Sequence, residues 1–205
     1  MEGKDPGPTV KPLKNRAARL VLAFQLVVAL AGVARAAVVL KLELPELVQR
    51  ADHIVLAVAG QENSRFAPDG RIVTDVTLTV KEALKGDLRA GRDIVVTRLG
   101  GSVGDLAMLV EGAPRFVRGR QAVVFLRELP ATGELRVVGM SQGVFQVEDR
   151  QGSLFLVPGG GDLSLVNQDA DGDLVDAAPS PAVEPGPMGD LLSEIRRLVA
   201  ESHGQ

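Results

Sequence analysis

The chain has no cysteine, no tryptophan and no tyrosine, and only two histidines among its 205 residues. Without Cys there are no disulfides and no thiol chemistry. His53 and His203 lie far apart in sequence, so no zinc site of the Cys or His type has its ligands. Six Phe make up the whole aromatic complement. A core must therefore be filled by Val, Leu, Ile and Ala, and single-stranded nucleic acid lacks the aromatic platforms it needs. A sugar-stacking cleft is equally short of material. No HExxH segment and no Ser/His/Asp set in a suitable context occurs. The length suits one well-filled core rather than two large domains with linkers.

Positive charge is concentrated at the amino-terminus. Lys11, Lys14, Arg16 and Arg19 precede an uncharged apolar run, Leu20 to Val33, and then Ala34-Arg35-Ala36. A basic region, a short apolar stretch and a small-x-small site form the pattern of a secretory signal peptide over residues 1–36, with cleavage between Ala36 and Ala37. The run is shorter than the ~20 residues that span a bilayer. An uncleaved signal anchor is the other reading, and the only route by which this sequence would hold a membrane. The expected location is secreted or periplasmic. Residues 1–36 hold six of the 23 Lys and Arg and two of the 26 Asp and Glu, so 17 stand against 24 in the remainder, a formal net charge of −7. That sign offers nucleic acid or an anionic membrane no general attraction.

The rest of the chain reads as short strands. In Arg71–Gly86, Ile72, Thr74, Val76, Leu78 and Val80 alternate with Val73, Asp75, Thr77, Thr79 and Lys81, the period of a strand with one buried face. HIVLAVAGQ (53–61), DIVVTRLG (93–100) and QAVVFLREL (121–129) are further strands, as are LRVVGMS (135–141), GVFQVED (143–149) and SLFLVP (153–158). AVVFL is apolar throughout and belongs at the centre of a sheet. Residues 62–70 read as a turn-rich connection. LPELVQRAD (44–52) reads as a short helical turn with Pro45 at its first position. GDLLSEIRRLVAES (189–202) reads as a helix with Asp190 as N-cap and Leu191, Leu192, Ile195, Leu198 and Val199 on its apolar face. Regular turns between short strands predict a mainly β fold, a small antiparallel OB-like barrel or sandwich over 37–158. An acidic Pro/Gly-rich linker (159–187) and a carboxy-terminal amphipathic helix (188–205) follow.

Three places could carry chemistry. Arg115, Arg118 and Arg120 cluster around Phe116 in the 100–120 segment and could grip an anionic ligand or a partner. Gly100, Gly101 and Gly104 lead into no helix and include no Lys, so a β-turn or bulge fits them better than a phosphate cradle. Asn167, Asp169, Asp171 and Asp173, with Gly172 sixth in order, are spaced like a calcium loop, but Ala178 stands where the bidentate Glu belongs. Calcium is the one cofactor the sequence raises. Asp52, Asp75, Glu82 and Asp105 are the carboxylates that a hydrolase could use as acid and base.

The order ADHIVLAVAG, IVTDVTLTVKEALKG, glycine turn and GAPRFVRGRQAVVFL resembles a family of uncharacterised exported bacterial proteins. It is loosely similar to the netrin-like, tissue-inhibitor-of-metalloproteinase type of OB barrel. The shared elements are Ala51-Asp52, Val80 with Leu84-Lys85-Gly86, and Gly119 with Val123 to Leu126, across roughly residues 44–148. Those inhibitors bind the protease zinc through an amino-terminal Cys, which this chain lacks, so their mechanism does not transfer. The expectation is an exported, non-enzymatic binding module that meets another exported protein through the 100–120 loop. A carboxylate hydrolase or a calcium-assisted surface protein is the alternative.

Overall fold

In a computed structural model of the protein, residues 38–159, 164–168, 174–176 and 183–202 are described. The signal segment, the Ala36–Ala37 cleavage point, His203 and the candidate metal residues Asp169, Asp171 and Asp173 lie outside the described residues, while Asn167 falls on a strand. None of the described helices is long and apolar enough to cross a membrane.

The fold is mainly β, with a partly closed barrel at its centre. Five strands make the barrel: β2 (His53–Phe66), β3 (Ile72–Lys85), β4 (Asp93–Leu99), β7 (Gln121–Glu128) and β8 (Leu135–Val137). They run in the order β7-β2-β3-β4-β8, and β8 returns to pair with β7. All neighbours are antiparallel except β4 and β8, which are parallel through the single pair Val96↔Leu135. This is the Greek-key order of an OB barrel, and its narrow β4–β8 seam makes the closure partial. Arg65 on β2 donates to Asp75 on β3 at 2.6 Å, Thr97 on β4 donates to the same carboxylate at 2.8 Å, and Arg136 on β8 donates to Glu134 at 2.9 Å. Arg65 also lies 3.7 Å from Glu134. A polar row across four strands thus reinforces the seam from outside.

β2 reaches five residues beyond the expected 53–61. Glu62 to Phe66, read as connection, pair with Val76 to Ile72, and the turn is confined to the residues after Phe66. Register shifts interrupt β2 between Ile54 and Val55, Leu56 and Ala57, and Ala59 and Glu62. Such bulges bend and coil a long strand, which a small barrel requires. They also break the simple alternation by which a strand is recognised.

Beyond β7 the sheet continues through β9 (Val144–Arg150) and β10 (Ser153–Pro158) to the two-residue β13 (Gly186–Pro187). Strands β2 and β7 consequently separate two apolar cores. Val55, Ala57 and Ala59 with Ala122, Val124 and Leu126 fill the barrel beside Val76, Leu78, Val80 and Val96. Ile54 and Leu56 with Val123 and Phe125 face the other way, onto α1 (Leu44–Arg50) and α2 (Met188–Ser202). AVVFL is apolar throughout because both of its faces are covered. Phe125 and Phe145 meet in the helix-side core with ring centroids 5.5 Å apart.

Helix α2 docks on this sheet. Leu192, Ile195 and Val199 are buried in the helix-side core, and Leu191 and Leu198 pack at its margin. The helix starts at Met188, so Asp190 sits inside the first turn, where its charge suits the positive end of the dipole, rather than at the N-cap. The span read as a linker contains β11 (Ser164–Gln168), β12 (Leu174–Asp176) and β13. β11 pairs in parallel with β1 (Val38–Leu40) and antiparallel with β12. Gln142 holds the segment after β1 by accepting from Leu42 N at 2.9 Å and donating to Leu40 O at 3.0 Å.

The Ala51-Asp52 and Leu84-Lys85-Gly86 signals meet at one end of the barrel. Lys85 donates to Val48 O at 2.8 Å and satisfies a carbonyl at the end of α1, a favourable place for a cation. Asp52 accepts from Glu128 N at 2.9 Å. Gly86 has φ +84°, and a Cβ there would overlap Nδ1 of His53. His53 is buried in this corner with Nδ1 3.6 Å from Asp87 and Nε2 3.7 Å from Glu128. The register puts it opposite Leu126 and next to the glycine turn, which covers the ring.

Candidate functional site

The insertion between β4 and β7 builds a large groove. It leaves the barrel at Gly100-Gly101, turns back through the hairpin β5 (Gly101–Val103) and β6 (Leu106–Met108), and crosses the barrel mouth to Arg120. Two hydroxyls pin its start. Thr74, buried at an inward position of β3, donates to Gly100 O at 2.6 Å, and its oxygen lies 2.9 Å from that of Ser64. Ser102 N donates to Ser64 Oγ at 3.3 Å. A Cβ at Gly101 (φ +136°) would overlap both hydroxyl oxygens. The glycine pair is thus there for close packing of a hairpin, as a turn or bulge, and no helix follows it.

Farther along, Ser141 N donates to Gly112 O at 3.0 Å and Gln146 Nε2 donates to Arg115 O at 2.9 Å. These bonds hold the insertion across β9 and the 3-10 turn at Met140–Gly143. Phe116 packs on the barrel core at its open end. Between the insertion and the barrel lies a groove of about 640 Å³. Its walls include Met108, Leu109, Val110, Pro114, Phe116 and Val144, and its polar edge carries Glu62, Arg98, Arg115 and Gln146. A shallower hollow of about 380 Å³ continues past Phe116 and Glu62 to Arg118. Leu106, Leu109 and Val117 on the insertion are 61%, 84% and 52% exposed. Leu109 and Val117 also line the groove, while Leu106 lies beyond its walls.

Arg98 on β4 and Glu62 on β2 form an ion pair at 2.9 Å on the groove wall. The Arg98 side chain is 19% exposed and that of Glu62 36%. Arg98 binds Glu62 through Nη2, and its buried Nε has no partner among the described residues. The buried hydroxyl of Ser141, also on the wall, has none either.

Of the basic cluster, Arg115 and Phe116 line the groove, and Phe116 and Arg118 line its extension. Arg120 lines neither; its carbonyl accepts from Ala59 N at 2.9 Å and its side chain is exposed. Glu62 and Arg98 escape a reading of the sequence because they lie on different strands, 36 residues apart. Their one trace is an Arg interrupting the apolar run of β4.

The four candidate carboxylates are dispersed, three of them with different partners. Asp52 caps Glu128 N, Glu82 pairs with Arg196 of α2 at 2.8 Å, and Asp105 is exposed at the β5–β6 turn. Asp75 lies in the polar row at the seam. Burial opposes its ionisation, but the bonds from Arg65 and Thr97 and the charges of Arg65 and Arg136 together outweigh burial and hold the carboxyl below its ordinary range. Among the described residues no group of three or more His, Asp or Glu could hold a metal ion. No family model and no curated protein matches the chain.

Proposed function

We propose that the protein is an exported, non-enzymatic interaction module that recognises another exported protein through the groove beneath the 100–117 insertion. The observation that carries this reading is the insertion itself. It is fastened to a rigid barrel by Ser64, Thr74 and Gln146, yet presents Leu106, Leu109 and Val117 to water. Fixed backbone with exposed aliphatic groups around a concave wall is the anatomy of a protein contact, with a dry centre and a charged rim. The hydrolase alternative has no comparable support, since Asp52, Asp75 and Glu82 point to separate structural partners and Asp105 stands exposed at a turn apart from them.

A photo-crosslinking residue at Leu109, with a second protein carrying it at exposed Lys81, tests this in the native compartment. The expected result is a discrete protein adduct from position 109 and none from position 81. No adduct from position 109, or the same adducts from both, refutes the reading.

A further inference from the structure

We infer that the groove takes an extended peptide segment whose acidic side chain displaces Glu62 from Arg98. This deepens the interaction reading above and rests on it. Leaving Arg115 aside, the walls of the groove and its extension carry two guanidinium groups among the described residues, Arg98 and Arg118, against one carboxylate, Glu62. On a chain whose net charge is negative, that is a local surplus of the opposite sign, and it favours an anionic guest.

The Arg98–Glu62 pair gives the place. A guanidinium presents a fork that matches a carboxylate with two parallel bonds. Glu62 engages it through Nη2 only, leaving Nε unpartnered. The two side chains also differ in freedom: Arg98 is held at 19% exposure, whereas Glu62 at 36% can swing into water. Glu62 is therefore a placeholder, neutralising Arg98 until a better-placed carboxylate arrives. Its own charge opposes that arrival.

The guest is a peptide segment rather than a small acid because of what surrounds the pair. Glu62 and Phe116 belong to both hollows, so the track runs past the ion pair to exposed Arg118, which has no ion-pair partner among the described residues. Leu109 and Val117 line the groove yet stay largely exposed, and exposed Leu106 lies beyond its walls, so a small ligand would leave much of all three wet. A chain with an Asp or Glu flanked by aliphatic side chains covers all of these at once.

A random octapeptide library displayed on phage, panned on the immobilised full chain, provides the probe; a selected peptide is then titrated by fluorescence polarisation. Selected peptides are expected to share an acidic residue among aliphatic ones. Replacing that residue by its amide, or making Arg98→Gln, should weaken binding at least about tenfold, the loss of a charge-assisted pair. Glu62→Gln should tighten it by about the same factor, and neither the amide peptide nor this exposed substitution threatens the fold. Unchanged or weaker binding with Glu62→Gln overturns the inference. So does selection of peptides without an acid; if those peptides lose binding with Leu109→Asp, the interaction reading survives alone. No enrichment at all overturns both.

Discussion

Truncating Ile195 to Ala tests whether α2 is part of the folded unit. Ile195 is fully buried in the helix-side core with Leu47, Phe125, Phe145 and Leu156. The change removes three carbons, worth about 2.4 kcal/mol at ~0.8 kcal/mol each. A residual cavity of about 50 Å³ adds roughly 1.2 kcal/mol at ~24 cal/mol per Å³. The sum, about 3.6 kcal/mol, lies inside the ~2–5 kcal/mol range of such truncations. For a chain of this size it lowers Tm by roughly 7–14 °C. Urea unfolding should show a lower midpoint with an unchanged slope. Val199→Ala removes two carbons at a site 8% exposed and should cost about half as much. Arg197→Ala, on the outer face with Glu194 and Glu201, should leave the midpoint almost unchanged, because exposed ion pairs contribute little. A loss under about 1 kcal/mol for Ile195→Ala, or the three ranked otherwise, refutes the packing argument.

Gly86→Ala should destabilise by at least about 2 kcal/mol, because it adds a Cβ at positive φ against the ring of His53; thermal melts decide, and a neutral result shows that the corner is loose. Asp75→Asn should cost about 1–3 kcal/mol at pH 7. Since folding holds the Asp75 carboxyl below its ordinary value, the stability it supplies is full above about pH 4, the unfolded value, and fades as pH falls through the folded one. Wild type and Asp75→Asn should converge in acid, and urea titrations at pH 7 and pH 2.5 show a constant gap if the polar row is not formed. Lys85→Met should lower stability by about 1 kcal/mol through loss of the bond to Val48 O, read as a midpoint shift in urea. Leu109→Asp should leave Tm within about 1 °C, as expected for an exposed site, while abolishing the adduct or peptide binding that defines the groove.

Periodicity made the longer strands and both helices legible, but β1, β5, β6, β11, β12 and β13 were not expected, and the strand expected over 135–141 ends at Val137 before the 3-10 turn Met140–Gly143. Val76, Leu78 and Val80 are buried as the alternation requires, and the α2 face reads directly from Leu192, Ile195 and Val199. Where bulges shift the register, as after Ala59, the pattern fails and the end of β2 looked like a turn. Val73, expected on the wet face, is 2% exposed. The groove was half legible: Arg115, Phe116 and Arg118 are neighbours in sequence, but Arg98 and Glu62 join them only because β2 and β4 flank β3.

The amino-acid sequence by itself determined the chemistry left out and the local elements. Lacking Cys, Trp and Tyr, the chain forms no disulfide and builds its cores from aliphatic residues and a few Phe, and alternation selects strands, because these depend only on residue type and near neighbours. Tertiary structure alone decided that β8 closes on β7, that β2 and β7 are covered on both faces, that His53 lies under Gly86, and that Glu62 sits on Arg98. Each of these joins residues distant along the chain, and such pairing is settled by how bulged strands coil and which apolar faces can be buried together.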